Sequence, residues 1–114
     1  MEYINKVKRR AYGYPVNAAS PVDYKSLSDN TMAIGDPVLG TKPLYYERWA
    51  ELFNEGHWWY DVCRWRLGPS EASYYKTVIN VNGALTFNEA KSYSWPIPIA
   101  ETNTNSKIQQ NPGY

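Results

Sequence analysis

The chain has 114 residues, 12 basic and 11 acidic side chains, and a formal net charge of +1, so bulk charge gives no case for nucleic acid as a partner. One cysteine, Cys63, and one histidine, His57, exclude an internal disulfide and any multi-histidine or cysteine-rich metal site built from this chain alone. No apolar run approaches the roughly 20 residues that span a bilayer, no secretory signal opens the sequence, and the length suits one domain.

Aromatic residues make up 16% of the chain, enough to replace aliphatic volume in a core or to furnish stacking surfaces. The opening stretch, residues 1–13, reads as helix from its first residues. Ile4, Val7 and Ala11 share one face, Lys6, Lys8, Arg9 and Arg10 read as a solvated basic face, and Gly13 with Pro15 ends the pattern. Nothing caps this helix, so it is expected to be cut from a longer scaffold, with the Ile4/Val7/Ala11 face exposed for lack of a partner helix. A cytosolic location or an N-terminal region lying elsewhere are the two accounts of the missing signal.

Residues 14–43 read as loop, punctuated by Pro15, Pro21, Pro37 and Pro43, with one short helical turn allowed in "PVDYKSLS". A long irregular segment of this kind is either a functional loop or one pinned onto another surface. Residues 44–67 read as a helix pair. In the first helix Tyr45, Trp49, Leu52 and Phe53 form an apolar stripe; Glu47, Glu51 and Glu55 adjoin it, Arg48 lies beside Glu51, and Gly56 closes the helix. The second helix runs from about His57 to Arg66, with Trp58, Val62 and Trp65 as its stripe, Asp61 within reach of Arg64, and Gly68-Pro69 as its stop. Beyond it, "KTVINVNGALTF" reads as a β-hairpin over 77–87, turning at Asn82-Gly83. Residues 92–114 read as an extended tail. The fold class expected is therefore mainly α, with long irregular loops and a small β-hairpin.

The dense stretch "EGHWWYDVCRW", residues 55–65, admits a binding platform, a catalytic cluster or a core. Helical spacing places Trp58 and Trp65 inward with Val62; Trp59 falls off that stripe and stays open. Glu47, Glu51, Glu55 and Asp61 are the carboxylates that glycoside hydrolysis would need. Arg48 and Arg64 at pairing distance explain them as an ion network joining two helices, and nothing sets two carboxylates across a cleft. His57 has no serine, cysteine or metal partner nearby in sequence, and Cys63 reads as packing. No phosphate loop, metal spacing or nucleophile elbow is present, so no cofactor and no catalytic residue is expected.

Three stretches in order, "YINKVKRRAYG", "ERWAELFNEGHWWYDVCRW" and "SYSWPIPIAETNTNSKIQQNPGY", resemble the C-terminal part of the SusD/RagB family of outer-membrane nutrient-binding lipoproteins of Bacteroidetes. The family pattern, roughly E-R-x-x-E-L-x-x-E-G-x-R-W-x-D-L-x-R-W, falls on Glu47, Arg48, Glu51, Leu52, Glu55, Gly56, Trp59, Asp61, Arg64 and Trp65. Trp58 stands where the family usually has Arg, which removes a charge from the helix pair, and Val62 stands where it usually has Leu. The resemblance implies a non-enzymatic protein with a tetratricopeptide-like helical scaffold, of which residues 1–13 would be the last helix. It implies an N-terminal lipid anchor outside this sequence, and capture of glycan, or of peptide in some members, for uptake through a SusC-like TonB-dependent transporter. The N-terminal remainder of its own chain would be a further partner. It makes the motif helices framework. Ligand contacts do not carry over by motif; within this chain, Tyr14, Tyr24 and Tyr45 are the candidates for stacking on a sugar. A freestanding helical protein-interaction domain and a glycosidase working through Glu51 or Glu55 are the competing readings.

Overall fold

A computed structural model describes residues 1–29, 35–79 and 86–114. It is mainly helical, with no strand among the described residues: α1 (Glu2–Ala11), a single 3-10 turn (Leu39–Thr41), α2 (Pro43–Glu51), α3 (Trp58–Trp65), α4 (Gly68–Ile79), α5 (Glu89–Ser92) and α6 (Ile99–Thr104). The chain divides into two compact units, Met1–Asp61 and Val62–Tyr114, and α3 runs from one into the other.

In the first unit α1 carries Glu2 in its first turn and Lys8, Arg9 and Arg10 in its last, the arrangement its macrodipole favours. The residues it buries are Asn5 and Arg9. The expectation of a solvated basic face is therefore corrected at Arg9, which is only 3% exposed. Its guanidinium donates to Asp23 Oδ1 at 2.7 Å, to Glu2 Oε1 at 2.7 Å and to the Val16 carbonyl at 2.9 Å. A guanidinium can be buried when its donors meet carboxylates and a carbonyl in this way. The Arg9 partnership holds the carboxyls of Glu2 and Asp23 below their ordinary range, and those carboxylates in turn hold the Arg9 proton more firmly.

Asn5 holds the loop by its backbone. Its Nδ2 donates to the Tyr24 carbonyl at 3.1 Å and its Oδ1 accepts the Tyr24 N–H at 2.9 Å. "PVDYKSLS" forms turns and bends, and the short helix allowed there is absent. Further along, Asp36 is buried and its carboxylate accepts the N–H groups of Val38 and Leu39 at 2.7 and 3.1 Å. That turns the chain into the 3-10 segment, which packs on α2. Val38, Leu39, Tyr24 and Tyr45 form the apolar part of this core. The described part of residues 14–43 is thus pinned by side chains of α1 and by its own aspartates.

α2 opens on Pro43, whose missing N–H costs nothing in a first turn. It ends at Glu51, earlier than expected, and residues 52–56 continue as turns. Asn54 and Gly56 both take left-handed backbone, with φ of 63° and 75°. Two such residues in three stop a helix and reverse the chain. The apolar side of α1 meets α2: Ile4 and Val7 are half-buried and line, with Leu44 and Leu52, a groove of about 280 Å³. The expectation of an uncovered Ile4/Val7/Ala11 face holds at Ala11 and is corrected at the other two.

In the second unit the Gly68-Pro69 pair begins a helix, where the sequence reading made it only a stop. Arg66, at φ 55°, makes the break, and α4 follows with proline in its first turn. Residues 77–79 are the last turn of α4, so the first strand of the expected hairpin is helix at its start. The Asn82-Gly83 turn lies outside the described residues. Gly68 is buried beneath Phe87: a Cβ there would stand 2.1 Å from the ring, so any side chain at this position would have to displace Phe87. The Gly68 N–H donates to the Tyr93 hydroxyl at 3.0 Å. Phe87 meets Tyr93 edge-on at 4.7 Å, and the Arg66 guanidinium lies 4.5 Å from the Tyr93 ring centre.

The tail is not extended throughout. Asn88 caps α5 by accepting the Ala90 N–H at 3.0 Å, and α6 follows Pro98. Gln110 takes both backbone groups of Ile97, accepting its N–H at 2.8 Å and donating to its carbonyl at 2.9 Å. Asn111 donates to the Trp95 carbonyl at 2.6 Å, and the Tyr114 hydroxyl reaches the Ser94 carbonyl at 3.1 Å. These bonds fold the chain end back onto residues 94–97.

Candidate functional site: an aromatic cleft at the α2–α3 turn

The turn between α2 and α3 brings the aromatic residues of both helices to one depression of about 430 Å³. Trp49 comes from α2, Phe53 from the turn, and Trp58 and Trp59 from the first turn of α3; Leu52 and Gly56 complete the apolar lining. Trp49 and Phe53 are held edge to face, 5.5 Å between ring centres at 71°, and Tyr46 lies 6.3 Å behind Trp49. Phe53 is 67% exposed and Trp59 42% exposed, so these rings line an open cleft. The apolar stripe of Tyr45, Trp49, Leu52 and Phe53 is buried only at Tyr45, with Trp49 and Leu52 half-buried and Phe53 exposed. A 3.6-residue spacing identifies an apolar face but does not say what lies over it.

Two polar side chains join the rings, Arg48 and Asn54. The Arg48 Nε donates to Asp61 Oδ2 at 2.8 Å, and the Asp61 side chain is 1% exposed. This ion pair ties α2 to the first turn of α3, as the reading of a network joining two helices had it. The partners differ from those that spacing proposed, because Arg48 pairs across the turn and not with Glu51 along its own helix. Glu51 pairs with Arg10 of α1. Glu47 is buried and accepts the Tyr24 hydroxyl at 2.5 Å. Glu55 is exposed, with His57 Nε2 3.9 Å from its Oε2. No carboxylate lines the cleft among the described residues, so this cleft offers no acid and base pair of the kind glycoside hydrolysis uses.

The three tyrosines proposed for stacking are not brought together. Tyr14 is 40% exposed. Tyr24 is 3% exposed, with Lys8 Nζ 3.5 Å from its ring centre and its hydroxyl on Glu47. Burial, reinforced by the Glu47 carboxylate, raises its pKa above the ordinary tyrosine value. Tyr45 is 9% exposed, with Lys42 beside its ring. Tyr24 and Tyr45 therefore offer no open face, a correction to that expectation. Of the cleft's rings, only those of Trp58 and Trp59 lie in the aromatic stretch 55–65, where helical spacing set Trp58 inward and left Trp59 undecided; Trp49, Leu52 and Phe53 carried no signal beyond their place on an apolar stripe. Arg64 is exposed, Trp65 half-buried, and Cys63 is a half-buried free thiol.

Among the described residues no group of three or more histidine, cysteine, aspartate or glutamate side chains gathers to hold a metal, and no helix is long and apolar enough to cross a membrane. The whole chain, residues 1–114, matches the SusD family model, and it belongs to that family, whose members are nutrient-binding proteins. No curated protein and no solved structure matches it.

Proposed function

We propose that this chain is the C-terminal part of a surface lipoprotein that binds glycan and hands it to a SusC-like TonB-dependent transporter, without chemistry of its own. The observation that carries the reading is the family match over all 114 residues. The aromatic cleft adds to it, since exposed rings beside hydrogen-bonding side chains suit a sugar, whose ring has an apolar face and a hydroxylated edge. In this reading residues 1–13 are the last helix of the scaffold, the helix pair is framework apart from the rings at its turn, and the N-terminal remainder of the protein carries the lipid anchor and further ligand contacts. Tyr14, with its exposed ring, stays a candidate contact.

The test is electrophoresis of the full-length protein through gels containing single plant, host or fungal polysaccharides, with a peptide pool as competitor, alongside co-purification from outer-membrane extracts. Retardation by at least one polysaccharide, with a large β-barrel transporter co-purifying, is the expected result. Retention of peptides in place of every polysaccharide would sink the glycan reading. Hydrolysis of the retarding polysaccharide would sink the claim of no catalysis.

A further inference from the structure

We propose that residues 15–29 form an acid-released strap, a length of chain fastened to α1 through a buried ion cluster, which opens as a unit in acid while α1 and α2 stay folded. Side chains do the fastening. Asn5 grips both backbone groups of Tyr24, and Glu47 of α2 accepts the Tyr24 hydroxyl. Arg9 holds both carboxylate oxygens of Asp23 and the Val16 carbonyl, and is itself steadied by Glu2 on its own helix. Inside the strap the bonds are local. The Ala18 N–H donates to the Pro15 carbonyl at 3.3 Å, the Asp23 N–H to the Ser20 carbonyl at 3.1 Å, and the Ser20 N–H to Asp23 Oδ2 at 3.3 Å. α1 and α2 meet without the strap, through Ile4, Val7, Leu44 and Leu52 and through Arg10 on Glu51. Lifting it therefore breaks no hydrogen bond within a helix and leaves the α1–α2 contact in place, the condition for a segment to open short of global unfolding.

Charge decides when the strap opens. The Arg9 guanidinium is buried against two carboxylates, Asp23 from the strap and Glu2 from α1. The other charges that face this cluster, Lys6 and Lys8 of α1, are both cations. Lys8 lies 3.5 Å from the centre of the Tyr24 ring, and Glu47 of α2 faces the hydroxyl of that tyrosine. Once Asp23 and Glu2 take up protons, the guanidinium is left buried among cations with its counter-charges gone. A buried charge without a partner costs far more than a hydrated one, so Arg9 turns to water and releases Asp23 and Val16. Tyr24 follows Asp23 directly in the chain, so the Arg9 and Asn5 fastenings do not part independently. Arg9 holds both carboxyls below their ordinary values of 4.5 and 3.8; the fastening is complete above those values and is lost as pH falls through the lower folded ones. Opening uncovers Tyr24 and parts its hydroxyl from Glu47.

The experiment is hydrogen exchange of the full-length protein, read by mass spectrometry of peptic peptides between about pH 6 and about pH 3 and corrected for the intrinsic pH dependence of exchange. Peptides covering residues 15–29 are expected to lose protection by about tenfold more than those of α1 and α2 over that range. Glu2→Gln with Asp23→Asn keeps the shape of both side chains and removes their charge. In that variant the strap should already be open at neutral pH and should answer acid little further, with α1 and α2 still protected. Glu51→Gln, which removes the carboxylate on Arg10 outside the cluster, should leave the strap's response as it was. Loss of protection in strap and helices together, in either protein, would overturn the proposal, because no separate unit would then exist. A strap that stays closed in the double variant, or that answers acid there as in the unsubstituted protein, would overturn it as well, because the ion cluster would not be the fastening.

Discussion

Two regions of the first unit reverse the usual placement of residue types. Around α1 the interior holds Asn5, Arg9, Glu47 and the Tyr24 hydroxyl, and at the α2–α3 turn the surface holds Phe53 and Trp59. Arg9, at 3% exposure, is far better buried than Phe53, at 67%. Burying charge is costly unless every donor and acceptor is met, so the α1 region depends on particular partners. Leaving aromatic area in water forgoes hydrophobic stabilisation, so the cleft contributes less to folding than its composition promises. The first region is read as structure and the second as a binding surface.

That contrast can be broken or sharpened by substitution. Arg48→Met would leave Asp61 buried without its guanidinium, and urea unfolding should show a loss of about 3 kcal/mol, in line with breaking other buried pairs. A loss under about 1 kcal/mol would mean that the pair is not structural. Asn5→Ala removes the partner of both backbone groups of Tyr24 and should cost about 2 kcal/mol in the same assay. Acid probes the Arg9 cluster. Glu2 and Asp23 have folded-state pKa values below their ordinary 4.5 and 3.8, so their contribution is complete above those ordinary values and is lost as pH falls through the lower folded values. Thermal melts should show Tm falling from about pH 4.5 downward, less steeply in Arg9→Met; parallel curves for the two proteins would contradict the cluster. Gly56→Ala meets no atom within 4 Å and should cost about 1 kcal/mol, from its left-handed backbone alone. Phe53→Ala should cost least, within about 1 kcal/mol, because most of its ring is already in water.

α1, α2 and α3 were legible because apolar periodicity and stop signals agree there: α1 ends by Gly13, and α2 and α3 flank a glycine turn. The link between Arg48 and Asp61 was legible as a link but not as a pair, since spacing along a helix ranks neighbours at i+3 above a partner across a turn. The burial of Arg9 was not legible, because its partner Asp23 lies fourteen residues away in a segment without periodicity. α4 was missed because Gly-Pro was weighed as a terminator, although proline is equally at home in a first turn. The cleft was legible only in part: Trp58 and Trp59 were singled out but read toward a core, and Trp49 and Phe53 only as an apolar stripe, because periodicity does not encode the left-handed turn at Asn54 and Gly56 or what lies over a helix face.

Asn5 and Gln110 perform the same act in separate units: each uses a side-chain amide to grip both the N–H and the carbonyl of one distant residue, Tyr24 or Ile97. A grip on the backbone is blind to the gripped residue's side chain. At Ile97 the amide asks nothing of the side chain it fastens, whereas Tyr24 is held a second time by its buried ring and by its hydroxyl on Glu47. One amide thus works as a clasp that any residue could wear, and the other closes over a residue already locked in place.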